Sequence, residues 1–223
     1  LPSGYDFVEI YNHSGKTIDL KDLYISSYDN GVYKDVAQVS EEGFLIFPED
    51  YIVLTEDVRA VQEQYYTSNP DGILKTNLPS FNDDWGRVIL LNQFESVLDD
   101  FEYSEDMHFA LLSTNEGVSL ERINFNRPTN DKSNWHSASE LVGFATPAYE
   151  NSQFLELEDM DEDISIEPEM FSPDNDGFED FTSINFSFSE PGYVANIKIF
   201  DSKGRLIKYL ANNQLLGVTG TIT

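Results

Sequence analysis

An all-β fold with one short helix is what this sequence predicts, and three observations carry the expectation. Apolar residues recur in runs of strand length, several of them alternating with polar ones. Polar and glycine-containing turns separate the runs. A single stretch breaks to helical spacing.

The strands can be taken in order. Phe7-Val8-Glu9-Ile10-Tyr11 places Val8 and Ile10 on one face and Glu9 on the other, and it stops at the polar turn Asn12-His13-Ser14-Gly15. Ile18-Asp19-Leu20 and Leu23-Tyr24-Ile25 follow. Phe44 to Phe47 is closed by Pro48, and Tyr51 to Leu54 is the next run. Val88-Ile89-Leu90-Leu91 is continuous, as in a strand buried on both faces. Val97 with Phe101 and Tyr103, then Val118 with Leu120, supply two more.

The exception begins at Thr55, a good N-cap residue with Glu56 and Asp57 behind it in the first turn. Val58, Val61 and Tyr65 fall at helical spacing. A helix is expected from Glu56 to about Tyr66, ended by Ser68-Asn69-Pro70-Asp71-Gly72, as an insert between strands.

Composition shifts at Glu156. Glu156, Glu158, Asp159, Asp161, Glu162 and Asp163 crowd together, and like charges this dense resist packing. An acidic linker over 155–164 is expected, between a first domain over 1–154 and a second over 165–223. In the second, Ile184, Phe186 and Phe188 alternate with polar residues, and Ala195, Ile197 and Ile199 form an apolar face. Asp201-Ser202-Lys203-Gly204 reads as a hairpin turn into Arg205 to Leu210.

Charge removes several functions. Asp and Glu number 41 against 13 Lys and Arg, a formal net charge of -28 over 223 residues. Binding to a phosphate backbone needs clustered cations, and none cluster here, so nucleic acid is excluded as a partner. Anionic membrane surfaces are disfavoured for the same reason. No apolar run approaches a spanning length, so membrane insertion is not expected. Protein, glycan and Ca²⁺ partners remain. The chain has no cysteine, which excludes disulfides, thiol nucleophiles and Cys-ligated zinc.

Several motifs together resemble a known family. Asp6-Phe7-Val8-Glu9-Ile10-Tyr11-Asn12, Ile18-Asp19-Leu20, Trp85-Gly86-Arg87-Val88-Ile89-Leu90, Gly117-Val118-Ser119-Leu120-Glu121-Arg122, Asn134-Trp135-His136 and Gly143-Phe144-Ala145-Thr146-Pro147 occur in the order shown by bacterial lamin tail domains of the Bacteroidetes type. The resemblance covers about Leu1 to Phe154 and implies an immunoglobulin-like β-sandwich. That family usually has one further strand before Asp6. Phe171-Ser172-Pro173-Asp174-Asn175-Asp176-Gly177 and Ile199-Phe200-Asp201-Ser202-Lys203-Gly204-Arg205-Leu206 resemble the immunoglobulin-like domain of the flagellar hook-cap assembly protein type. There the family pattern continues beyond Thr223, so a partial second domain is expected, and both chain ends look cut. The resemblance implies a secreted or cell-envelope protein, outside the cytoplasm.

Two sets of residues could bind something. Asp174, Asp176, Phe178 (through its carbonyl) and Asp180 align with ligand positions of a calcium-binding EF-hand loop around Gly177, while Ser172 and Ser183 occupy its first and last positions, where acids belong. The competing reading is a polar Asx turn leading into the next strand. Tyr65, Tyr66 and Trp85, in or beside the helical insert, would suit a glycan platform. The competing reading has them packing the insert onto the sandwich.

Catalytic patterns are missing. His13, His108 and His136 are not spaced as a zinc pair, and there is no G-x-S-x-G elbow and no phosphate-binding Gly-rich loop. Acids abound, but nothing in the sequence selects one with a raised pKa. The expectation is therefore a non-catalytic extracytoplasmic binding or scaffold module, not an enzyme. The alternative is a glycan-binding accessory domain of a larger hydrolase.

Overall fold

A computed structural model describes residues 5–156 and 163–223. In chain order the first part contains β1 (Phe7–Tyr11), β2 (Ile18–Asp19), β3 (Leu23–Asp29), β4 (Val32–Gln38), β5 (Leu45–Ile46), β6 (Tyr51–Thr55), α1 (Val58–Gln64), β7 (Ile73–Lys75), β8 (Trp85–Asn92), β9 (Val97–Ser104), β10 (Leu120–Arg122) and β11 (Trp135–Ser137). The second contains β12 (Asp163–Glu167), β13 (Ser183–Ser187), β14 (Val194–Phe200), β15 (Leu206–Leu215) and β16 (Thr219–Ile222). The fold is all-β and of sandwich type.

Two sheets make the body of the first part. One is ordered β1-β6-β7 and the other β4-β3-β8-β9, with the short pairs β2-β5 and β10-β11 beside them. Alternation along each strand decides what faces inward. Val8 and Ile10 from β1, Ile52 and Leu54 from β6, and Leu23 and Ile25 from β3 share one core, joined by Val88 and Leu90 from β8. Ile89 and Leu91 are buried on the opposite face of β8. A strand with apolar cover on both sides is what the uninterrupted run required.

The helix lies between strands as expected and differs in its start. Its N-cap is Asp57, whose side chain accepts from the Ala60 amide at 3.1 Å. Thr55 closes β6 instead, and its hydroxyl donates to Asp6 C=O at 2.9 Å while accepting from the Asp57 amide. The last helical residue is Gln64, so Tyr65 and Tyr66 lie beyond it. β6 and β7 run parallel, Val53 opposite Ile73. A parallel pair needs a crossover, and α1 lies on it. The helix buries Val61 against Val53, Tyr65, Ile73, Ala145 and Ala148, on the outer face of this sheet. It is part of the sheet's connectivity.

The second part pairs β12-β13-β16 in one sheet and β14-β15 in a hairpin. Asp201 shapes the turn by accepting from the Lys203 and Arg205 amides at 2.9 Å, and Gly204 takes φ +76 there. Phe186, Phe188, Leu216 and Ile222 form its core, with Leu141 of the first part packed against them.

Residues at both ends of the expected 155–164 linker belong to folded elements. Leu155 is buried, and its amide donates to Ile123 C=O at 2.9 Å. Asp163 and Ile164 already belong to β12. Residues 157–162 of the expected linker lie outside the described residues. The parts are tied elsewhere. The fully buried Gln153 side chain donates to Ser137 C=O at 2.9 Å and to Leu216 C=O at 3.2 Å. The Val218 amide donates to Ser152 C=O at 3.1 Å, and Ser139 Oγ to Leu215 C=O at 3.2 Å.

Candidate functional site

A cleft of about 1060 Å³ opens along the inner faces of the two large sheets, bordered by β10. Its apolar lining comes from Val8, Ile10, Ile25, Val88 and Leu90. Phe101 stacks on Trp135 at 3.8 Å between ring centres, and Tyr11 on Phe125 at 4.0 Å, which makes two firm walls.

Strand parity explains why the cleft has open edges. The Asn12 amide donates to Asp50 C=O, so the even-numbered residues of β1 bond towards β6. Phe7, Glu9 and Tyr11 turn their backbone groups the other way. Among the described residues no strand pairs with that edge. In β10 the pattern is mirrored. Ser119 C=O accepts from the Ala138 amide and the Ile123 amide donates to Asn134 C=O, so odd-numbered residues serve β11. Leu120 and Arg122 turn their N–H groups to the open side, where no strand is paired among the described residues. Both open edges line the one cleft.

Two carboxyl groups are enclosed at its margin. Glu121 is 3 % exposed. It accepts from Thr146 Oγ1 at 2.6 Å, Ser152 Oγ at 2.8 Å and the Gln153 amide at 3.0 Å. Burial raises its pKa, and those hydrogen bonds oppose the rise. Glu9 accepts from the Ala148 amide at 2.7 Å. Its side chain is partly accessible, while the carboxyl itself is surrounded by protein. Desolvation pushes it up to about 8, opposed by the Ala148 hydrogen bond and reinforced by the Glu121 charge. At neutral pH Glu9 is mostly protonated.

Arg122 faces the same space. Its guanidinium donates to Arg127 C=O at 2.6 Å and lies 3.4 Å from Asp99, and its buried Nε has no partner among the described residues. Burial lowers its pKa. Eight acidic residues and this one arginine line the cleft, so it is an acidic slot over an apolar floor.

The residues singled out in the sequence lie elsewhere, apart from Tyr65. Tyr65 is 6 % exposed and its hydroxyl donates to Gly117 C=O at 2.9 Å. It packs the insert, and its ring lies in the core under the helix. Tyr66 is 71 % exposed, with its ring edge-on to Tyr149, and Trp85 is 56 % exposed at the start of β8.

At the acidic loop, carboxylate oxygens of Asp174, Asp176 and Asp180 come within 4.8 Å of one another. Each carboxylate also accepts a backbone amide. Asp180 takes those of Asn175 and Gly177, Asp176 that of Phe178, and Asp174 that of Asp176. The Phe178 side chain points to solvent. Both the cation loop and the Asx turn are compatible with this arrangement.

Comparison with protein-family models, curated proteins and solved structures finds no match to the chain. The likeness to lamin tail and hook-cap-type domains therefore stands on the quoted motifs alone.

Glu9 and Glu121 are the residues that sequence reasoning missed. Glu9 sits between Val8 and Ile10, the pattern of a solvent-facing residue, and Glu121 sits between Leu120 and the charged Arg122. The 145–153 segment covers that face, and nothing local in β1 or β10 announces a cover from so far along the chain.

Proposed function

We propose that the chain is a non-catalytic binding or scaffold module acting outside the cytoplasm, with the inter-sheet cleft as its ligand site. The cleft carries the reading. It has the volume of a ligand site, an apolar floor, firm aromatic walls and a few convergent polar groups. The state of the acids supports binding rather than turnover. Both Glu121 oxygens already accept protein donors, and Glu9 holds the Ala148 amide. The motif resemblance supports the compartment.

The test is a calorimetric screen of neutral glycans and extended peptides against the chain and against Leu98→Trp. Leu98 is half-exposed at the cleft mouth, so the larger ring narrows the entrance without touching the core. A ligand lost in the variant is expected; a ligand bound equally by both proteins would place binding elsewhere.

A glycan-binding accessory role is favoured by one observation, the exposure of Tyr66 and Trp85. Affinity electrophoresis in polysaccharide gels should then show retardation that Tyr66→Ala and Trp85→Ala each reduce. Equal mobility with and without polysaccharide rejects that role.

Calcium at the 174–180 loop belongs to the same proposal, supported by the crowding of three carboxylates that a cation would relieve. Millimolar CaCl₂ should raise the melting temperature, and Asp176→Ala should abolish the rise. An unchanged melting curve rejects the ion.

A further inference from the structure

Two histidines lie where the second part meets the first. His136 belongs to β11, and its ring packs against Phe109 at 5.4 Å between centres. Gly192, in the turn between β13 and β14, comes against both rings. A Cβ built there would lie 3.4 Å from His136 Nε2 and 4.0 Å from the Phe109 ring. His108 precedes Phe109 and bonds through Nδ1 to Ser137 Oγ at 3.0 Å. Both imidazoles are half-buried. Ser137 also carries the first link of the seam. Its carbonyl accepts from Gln153, which donates onward to Leu216 C=O, and the Leu216 amide returns to Tyr193 C=O beside Gly192.

The hydrogen bonds at both rings suit neutral imidazoles. Ser137 is fully buried, and its Oγ already accepts from the Phe109 amide at 2.9 Å. Its hydroxyl proton then goes to His108 Nδ1, which must be unprotonated to accept it. A charged His108 would donate there instead and displace that proton inside a buried site. In His136, Nδ1 faces Ser137 C=O at 3.0 Å and so carries the proton. A second proton would go to Nε2, on the side of Gly192, where no hydrogen bond among the described residues receives it. Burial lowers the pKa of each ring. The charge of His136 lowers that of His108 further, while the Ser137 bond opposes the fall at His136.

The other ionisable groups nearby are placed differently. Glu105 and Asp106 precede His108 and are exposed, as are Glu140 beyond Ser139 and Glu190 on the Gly192 turn. Tyr193 stacks on Phe188 inside the second part. Arg122 turns to Asp99. Glu121 stands opposite His136 in the β10–β11 register, with its oxygens held by Thr146, Ser152 and Gln153. Burial raises its pKa, so its proton uptake favours the folded form at low pH, the opposite sign.

We propose that His108 and His136 form an acid-sensitive clasp: uncharged, they let the second part seat on the first, and their protonation opens the seam along Ser137, Ser152 and Gln153 while each part stays folded. The clasp is independent of ligand binding in the cleft. A folded-state pKa below the ordinary histidine value of 6.5 means that the seated form binds protons more weakly than the open one. Closure is complete above about pH 6.5 and weakens as pH falls below it, by at most about tenfold per ring and pH unit.

The test is hydrogen exchange on the whole chain from about pH 7.5 to about pH 5, with protection corrected for the intrinsic rate at each pH. The Val218 amide reports the seam, because it donates across it to Ser152 C=O. The Leu155 and Leu216 amides bond within the first and the second part, so each reports one part alone. Val218 protection should fall about tenfold or more towards the acid end, with Leu155 and Leu216 unchanged. The double variant His108→Asn, His136→Asn places amide atoms near the two Nδ1 positions without a titrating group. It should hold Val218 protection constant over the range. His13→Asn removes the histidine that lies outside the seam, beside Asn126, and should behave as the parent. NMR titration of the parent gives a second readout should the double variant not fold: both seam rings should titrate below 6.5.

Four results overturn the clasp. These are constant Val218 protection in the parent, an equal fall in the double variant, or seam rings that titrate at 6.5 or above. The fourth is loss at Leu155 and Leu216 together with Val218, which is unfolding of the parts and not opening of the seam.

Discussion

Glu9→Gln isolates a carboxyl whose ionisation works against the fold. In the folded protein Glu9 titrates at about 8, against 4.5 for an ordinary glutamate. A folded-state value above the unfolded one means that the native protein binds the proton more tightly. The resulting stability is complete below about pH 4.5 and is lost as pH rises through 8. Each pH unit in that interval removes roughly 1.4 kcal/mol, which sets a ceiling of about 4–5 kcal/mol over the whole range. Water entering the cleft and coupling to Glu121 reduce this, and a difference on the order of 3 kcal/mol at pH 8.5 is expected. Glutamine keeps an oxygen to accept from Ala148 and has no charge to bury. The assay is urea unfolding of both proteins at several pH values from 5 to 9. The general repulsion of a chain with net charge -28 affects both alike, so the difference between the curves belongs to Glu9. The two should converge at low pH, with the glutamine protein the more stable at high pH. Parallel curves, or a glutamine protein weaker at pH 8.5, would refute the burial of this carboxyl.

Other substitutions test the remaining structure. A Cβ at Gly217 would lie 2.5 Å from Ser152 C=O, so Gly217→Ala should destabilise by about 1–3 kcal/mol in denaturant titration. Asp57→Ala should lower stability by about 1 kcal/mol through the lost cap, whereas a Thr55→Val change should act through the bond to Asp6 and spare the helicity seen by circular dichroism. Tyr66→Ala and Trp85→Ala should each shift stability by less than about 0.5 kcal/mol, since both side chains are largely exposed.

Legibility in the sequence followed burial. β1, β3, β6 and β8 were readable because their apolar residues either alternate or run together. β4 was not, because it is an exposed edge strand of mixed composition with Asp35 at φ +52. β12 hid inside an acidic run: Ile164 and Ile166 do alternate, but both are exposed and their neighbours carry charge. Spacing alone shows the helix, but it starts at Val58, two residues after the expected Glu56, since Thr55 and Asp57 are both competent caps and β6 claims the first. The cleft was invisible in the sequence. Its edges are defined by which backbone groups lack a neighbour, and that is a property of sheet order.

The tie at Gln153 bears on how this chain can be divided. A fragment ending at residue 156 would keep the buried amide of Gln153 but lose the Leu216 carbonyl that satisfies it. It would also bare Leu141, which packs against the Phe186 core. A C-terminal fragment would lack the Ser152 carbonyl that holds Val218. Cut within the acidic run, the two products would each carry a torn seam. Cleavage there should leave a nicked, still associated pair rather than two independent domains.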